Sequence, residues 1–392
     1  MLRLSYNQPS KTATVQSANL FTIPAKNVLR RLPFLKMATE SASKRLKTAD
    51  SSSAVTIGTH NGHFHADEAL AVHMLRAHIP RYHGARLIRT RDPKVLETCD
   101  TVVDVGGEYD ADRRRFDHHQ RGFTTVFPGR NTKLSSAGLV YMHFGKEAIA
   151  NRRASAAADP STVDLIYNKV YESFVEAVDA NDNGVNAYDA EGIAAAGLEK
   201  KFSDGGFTLG AMVGRLNPAW NEPVPSDPAE AQAAEDEKFV TASQRIGEEF
   251  DRTLDYYVNA WLPARALVEK AFTERPQYDA QGRIMVLSGQ SCPWKDHLYA
   301  LEEENKEAGK VLYVLYPEKP TPDAKWRVQT VPVTKDSFES RKALPKEWRG
   351  VRDEELDKVS GIPGCVFVHA AGFIGGNKTF EGALELAKKA LD

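Results

Sequence analysis

Cysteine is scarce in this chain. Three occur in 392 residues, Cys99, Cys292 and Cys365, and no two stand in the C-x-x-C spacing of a redox or structural zinc site. That argues against a disulfide framework and for a reducing compartment. Long apolar runs are missing too. Nothing approaches the roughly 20 residues a membrane helix needs, so no membrane span is expected. Net charge is only −2 at pH 7, which argues against a surface coated in positive charge for duplex binding but leaves room for a local basic groove. Acids are absent from residues 1–39, which carry Arg3, Lys11, Lys26, Arg30, Arg31 and Lys36. A basic, hydroxyl-containing leader of this kind reads as a mitochondrial presequence. Initiation at Met37 would remove it and leave "KRLK", a nuclear-import-like run. Mitochondrial and nuclear localisation through two starts is therefore expected.

What is present is an alternation of strand and helix patterns. "VTIGTH", "ARLIRT" and "TVVDVGG" read as strands, and residues 66–79, 135–149 and 162–180 as helices. β-α-β alternation with continuous apolar strands points to a parallel α/β sheet, whose ligands sit beyond the carboxyl ends of the strands. A proline-rich stretch, "RLNPAWNEPVPSDP", marks a boundary. The polar helix pattern after it, residues 229–257, is long enough to bridge two domains. The expected division is a targeting segment and linker over residues 1–54, a catalytic domain over 55–225 and a smaller α/β domain over 226–392. The last has its own strands, "RIMVLSG", "KVLYVLYP", "WRVQTVPV" and "CVFVHAAGF".

Four clusters carry chemistry, and each lies at or near a strand end. The first is His60, His63, His65, Asp67 and Glu68, and the second is Asp104 in "VVDVGG". The third is "FDHHQRGF" with Asp117, His118 and His119. The fourth is "EAVDANDNG" with Asp179 and Asp182. Five of the eleven histidines fall in the first and third. Histidines mixed with carboxylates suit Mn²⁺, Zn²⁺ or Fe²⁺, and oxygen-richer sets suit Mg²⁺ or Mn²⁺. His60 and His65 flank a turn and can converge on one ion. Asp104, on a neighbouring strand, can bridge two, and paired ions about 3.5–4 Å apart clamp a phosphoryl group and activate water. His63 is either a ligand or a surface group. Glu68 reads as a capping residue in the first helical turn, where acids complement the dipole.

"DHH" after a strand-end aspartate and an upstream His/Asp cluster resembles the DHH phosphoesterase superfamily. More closely, "GTHNGHFHADEALA", "DVGGEYD", "RFDHHQRGF", "LSSAGLVY", "DANDNG" and "HAAGFIGG" are similar to the eukaryotic melanocyte-proliferating-gene (MYG) exonuclease family. The resemblance covers nearly all of residues 55–392. It implies a parallel-sheet, DHH-type phosphoesterase domain with a second, smaller α/β domain. The implied activity is that of a 3′-to-5′ exonuclease on single-stranded RNA, using two divalent ions, Mn²⁺ or Mg²⁺, in mitochondrion and nucleus. By the same resemblance, His60, His65 and Asp104 hold one metal, and Asp67, Asp104, His118 and an aspartate of the fourth cluster hold the other. "DNG" favours Asp182 over Asp179. His119 contacts the scissile phosphate, with Asp117 and Arg121 beside it. This chain departs from the superfamily at His65, where an aspartate is usual.

Further binding candidates follow. Ser135 and Ser136 either contact the site or cap their helix. The turn "HAAGFIGGNKT", with His369, Gly375, Gly376 and Lys378, resembles the superfamily's substrate-closing turn, since glycines allow close backbone approach to phosphate. Trp294 and Lys295 are placed to stack on a base and bind a phosphate, or Trp294 is core. Arg113, Arg114 and Arg115 either track a nucleic-acid backbone or form a solvated loop. Two other functions remain in play: a phosphohydrolase for a small substrate such as pyrophosphate or a short oligonucleotide, and a non-catalytic RNA-binding scaffold. The residues leave the oligomeric state open.

Overall fold

The computed structural model describes residues 54–152, 159–203 and 205–392. The leader, Met37 and most of the linker lie outside the described residues. The first sheet has the order β2-β1-β3-β5-β4, formed by β1 (Thr56–Thr59), β2 (Arg86–Arg89), β3 (Thr101–Val103), β4 (Tyr109–Asp110) and β5 (Arg115–Phe116). β1 runs parallel to β2 and β3, and β3 parallel to β5; only β4 is antiparallel. The short strands point their carboxyl ends one way, so His60, Asp104 and Asp117 emerge side by side from neighbouring strands.

Helices α1 (Ala66–His78) and α2 (Ser136–Arg152) pack on this sheet, with α3 (Pro160–Val170) against α2 and α4 (Glu176–Asp182) against both α1 and α2. A π-turn, Tyr171–Val175, joins α3 to α4. Helix α5 (Pro228–Tyr256) starts on Asp227, whose carboxylate accepts from the amides of Ala229 and Glu230. With Pro228 in the first turn, this is a strong start signal worth about 1 kcal/mol. Its apolar face, Phe239, Ile246, Phe250 and Leu254, is fully buried in the first core, at roughly 1.5–3 kcal/mol per side chain. The break expected at residue 225 therefore falls ahead of a helix that packs on α1 within the first core. The chain then continues through a π-turn, Tyr257–Trp261, into α6 (Leu262–Glu274), whose Val268, Ala271 and Phe272 belong to a different core.

The second sheet has the order β6-β7-β8-β10-β9, from β6 (Ile284–Val286), β7 (Tyr313–Pro317), β8 (Trp326–Thr330), β9 (Cys365–Val368) and β10 (Ile374–Asn377). Only β6 and β7 are parallel. Helices α7 (Lys295–Glu304), α8 (Asp353–Ser360) and α9 (Phe380–Lys389) complete it. Ion pairs join the two lobes: Lys169 to Asp296 at 2.9 Å and Lys335 to Glu172 at 2.8 Å. No described helix is long and apolar enough to cross a membrane.

Candidate metal centre

The turn after β1 needs a glycine. Gly62 has φ +85°, a conformation other residues adopt at a cost. Its amide donates to Glu235 Oε1 at 2.6 Å, and its carbonyl accepts from Arg89 Nη2 at 2.8 Å. Arg89 also donates to Glu235 at 2.8 Å and lies over the rings of Phe64 and Phe239. Asn217 accepts from the Phe64 amide and donates to its carbonyl, both at 2.9 Å. A clamp built from β2, α5 and residue 217 thus fixes the turn carrying His60 and His65.

His60 is buried, with Nε2 at 3.1 Å from Glu68 Oε1 and 3.3 Å from Asp104 Oδ2. Burial favours its neutral ring, but Asp104 and Glu68 outweigh that and push its pKa up to about 10. Glu68 accepts from the His65 amide at 2.8 Å, as a capping group does. It also faces His60, a role that its place in the helix start concealed. Asp104 sits at the centre with φ +58°, a left-handed conformation that aspartate tolerates better than most residues. Its Oδ1 accepts from Ser136 Oγ at 3.1 Å and lies 3.4 Å from His118 Nε2. Burial opposes its charge, yet His118, His60 and His119 hold the carboxyl well below the usual range. His118 Nε2 is also 3.1 Å from Asp182 Oδ2. Asp67 is fully buried, and burial followed by the charges of Asp104 and Asp182 pushes it well up. Asp182 is raised chiefly by burial.

Asp117 does something different. Its Oδ1 accepts from the amides of His118 and His119 and from His119 Nδ1 at 2.7 Å, and its Oδ2 from the Gly107 amide at 2.6 Å. It positions the histidines and has little acceptor capacity left for a substrate. His119 is exposed, and Asp117 first of all raises its pKa.

The fourth cluster divides its aspartates. Asp179 accepts from the amide and hydroxyl of Ser135, the Gly138 amide and the Tyr171 hydroxyl. It staples α4 to α2, and burial lifts its pKa to about 7. A Cβ at position 138 would stand 2.4 Å from its oxygens, so Gly138 permits this approach. Asp182 instead turns its carboxylate to His118. Ser135 therefore serves Asp179, and Ser136 serves Asp104.

Three groups here could hold a metal, with donor atoms inside 4.8 Å: His60, His65, Glu68 and Asp104; Asp104, Asp117, His118 and His119; and His65, Asp67 and Asp182. His63 stands outside them, its ring 5.6 Å from that of His65. The fit to cations is tested by the buried polar atoms. Asp67 Oδ1, Glu68 Oε2 and His118 Nδ1 have no hydrogen-bond partner, and His118 Nε2 faces the Asp104 and Asp182 carboxylates without hydrogen-bond geometry. Such atoms are costly when bare, and acids crowded together need counter-charge. Divalent cations with mixed imidazole and carboxylate ligands suit this donor set.

The floor opens into a cleft of about 730 Å³, also lined by Arg91, Gln120, Lys133, Asn181 and Asn183. Gln120, Asn181 and Asn183 belong to the third and fourth clusters, whereas Arg91 and Lys133 stand outside the motifs and carry no spacing signal of their own. Several candidates stay away from it. Arg121 is exposed and does not line the cleft. Trp294 is in the second core, and Lys295 opens α7 behind it. Gly375 and Gly376 lie within β10, where a Cβ would come to 3.1 Å from the Phe367 carbonyl and 2.8 Å from that of Trp326; tight sheet packing accounts for both. His369 accepts from the Ala371 amide, and Lys378 is exposed beyond β10. Arg113 pairs with Glu97 and Glu108, Arg114 bonds the Asp100 carbonyl and Arg115 is buried. These three arginines brace the amino-terminal side of β5 and do not form a free basic stripe.

The family model MYG1_exonuc, described as Uncharacterised protein family (UPF0160), matches residues 56–391. The chain is 50% identical over 341 residues to the MYG1 exonuclease of Rattus norvegicus, covering 86% of this chain and 84% of that protein. It is 49% identical over 341 residues to the MYG1 exonuclease of Homo sapiens, covering 86% and 85%. A solved pGpG-specific phosphodiesterase, PggH from Vibrio, aligns at a TM-score of 0.22 and 15% identity over 87% of this chain and 97% of its own.

Proposed function

From the premise that this chain belongs to the MYG1 exonuclease family, we propose that it is a metal-dependent phosphodiesterase that removes nucleotides from the 3′ end of single-stranded RNA. The observation that carries the chemistry is the meeting of His60, Asp104, His118 and Asp182 on the floor of an open cleft, with Asp67 buried beside Asp182 and unpartnered atoms among them. The 3′ polarity and the RNA substrate rest on the family resemblance.

His60, His65 and Asp104 would hold one ion, with Glu68 against His60; Asp67, Asp104, His118 and Asp182 would hold the second, with Asp104 shared. When bound, two divalent ions, Mn²⁺ or Mg²⁺, supply counter-charge for the phosphate and an activated water. The chain supplies the rest. Asp117 fixes His119 through Nδ1, which leaves Nε2 to meet the scissile phosphate or protonate the leaving oxygen. The Gly62 clamp holds the first-site histidines in place, so the ligands need no rearrangement.

The test is 5′-labelled single-stranded RNA with Mn²⁺ or Mg²⁺. Stepwise loss of 3′ nucleotides that vanishes in His118→Ala is the expected result. Hydrolysis surviving both chelation and Asp104→Ala would sink the two-metal mechanism, and pyrophosphate cleaved much faster than RNA would move the assignment to a small-substrate phosphohydrolase. Localisation to mitochondrion and nucleus belongs to the same proposal. Fluorescent fusions starting at Met1 and at Met37 should distribute differently, and identical images would refute it.

A further inference from the structure

We propose that Arg91 and Lys133 form a pair of phosphate-binding residues on either side of the metal-facing floor, and that they select substrates carrying a phosphate beyond the scissile one. The inference rests on the phosphodiesterase reading above and adds the substrate class: oligonucleotides of three or more residues, held through their backbone.

Both side chains line the cleft that contains His60, Asp104, His118 and Asp182. Neither has an ion-pair partner among the described residues, although a neighbouring cation does: Arg89, two residues before Arg91, pairs with Glu235 and Asp236. A guanidinium without a carboxylate, at the wall of a cleft, is free to take a phosphate with its planar fork.

Sheet topology sets where Arg91 stands. β2 is paired to β1 with Thr59 opposite Arg89, and the Thr90 amide still reaches the Thr59 carbonyl at 2.7 Å beyond the strand end. Arg91 therefore follows the strand flanking His60, about one strand spacing of 4.8 Å away, on the side away from Asp104 and β3. Lys133 stands at the other end of the row. Its backbone pairs with Val126, and its carbonyl accepts from Asn183 Nδ2 at 2.9 Å, beside Asp182. Its amine passes over the ring of Phe123 at 5.8 Å. The order across the strand ends is thus Arg91, His60, Asp104 and His118, with Lys133 beyond: cation, metal-facing groups, cation.

The lining also lacks any aromatic ring except histidine. Bases meet no tryptophan, tyrosine or phenylalanine platform in the cleft, in contrast to single-strand binders that rely on one. Recognition through phosphate charge is what these walls provide, and it is indifferent to base sequence.

The experiment compares kcat/KM for an RNA dinucleotide, which has one phosphodiester, with that for a trinucleotide, which has two. The proteins are the full chain and its Arg91→Ala, Arg91→Lys and Lys133→Ala variants, each assayed with Mn²⁺ at two salt concentrations. The expected result is a trinucleotide-over-dinucleotide preference reduced about tenfold in Arg91→Ala and partly restored in Arg91→Lys. The loss should sit mainly in KM, and the log–log salt slope for a ten-residue RNA should shrink by about one for each charge removed. An equal fractional loss on both lengths, or no loss on either, overturns the pair. Wild-type protein inert on every length overturns the phosphodiesterase reading itself, so the two failures are told apart by which protein fails.

Discussion

Two clusters of histidine and aspartate sit at opposite ends of α1, and they differ in one respect. At the far end, His73 and His78 both point Nε2 at Asp251 Oδ1, at 3.2 and 2.7 Å. These three donors also lie close enough together to hold a metal, but none of their atoms is buried without a partner. At the near end, Asp67, Glu68 and His118 all carry buried, unpartnered atoms. The far cluster is a hydrogen-bonded clip between α1 and α5, seated because Gly247 leaves room for the His73 ring. The near cluster leaves donor atoms open that a divalent ion could take. Residue type is the same in both; hydrogen-bond satisfaction separates them.

The largest effect should come from the centre of the near cluster. Asp104→Asn is expected to lower RNA hydrolysis at least about a thousandfold, or about 4 kcal/mol of barrier, while the melting temperature without metal holds or rises. A variant that melts well below the wild type would mean that Asp104 is mainly structural. Next is the response to ions. Mn²⁺ at a hundred times its Kd should stabilise the wild type by about 2.7 kcal/mol, and Asp104→Asn should lose most of that. An equal stabilisation of both proteins would break the contrast between the clusters. Third, Asp179→Asn should cost about 1–3 kcal/mol of stability, because its Ser135, Gly138 and Tyr171 donors lose a carboxylate, whereas Asp182→Asn should weaken metal binding with little change in the melt. Calorimetry on both variants decides it.

The smallest effects belong to the far cluster. Asp251→Ala should cost about 1–2 kcal/mol and leave hydrolysis within about twofold, since the clip is away from the cleft. Burial opposes the Asp251 charge, but His73 and His78 still hold its carboxyl well below the ordinary 3.8. A depressed folded-state value means the clip stabilises above pH 3.8 and fades as pH falls below it. The gap between wild-type and Asp251→Ala stability should therefore close in acid; a constant gap would deny the ion pair.

Much of the near cluster was legible because its members sit at strand ends and helix ends that apolar patterning marks. His60, Asp104, His118 and Asp182 meet although they are spread over more than a hundred residues. What was illegible depended on direction. Asp179 and Asp182 stand three apart on one short helix, and only the positions of Ser135, Tyr171 and His118 decide which way each faces. Asp117 looked catalytic, yet backbone amides consume its oxygens. Gly375 and Gly376 looked like a phosphate turn, but strand crossings that no local pattern reveals pack them between β8 and β9. Arg91 and Lys133 belong to no motif, and only the cleft singles them out.

The clamp on Gly62 has a consequence for the order of synthesis. Glu235 lies 173 residues after the glycine whose amide it accepts. A ribosome that has released the first three clusters has made histidines and aspartates without the brace that sets their geometry. The turn gains its support only when α5 has left the exit tunnel and folded back, so the nascent chain should hold the His60 and His65 rings loosely until then.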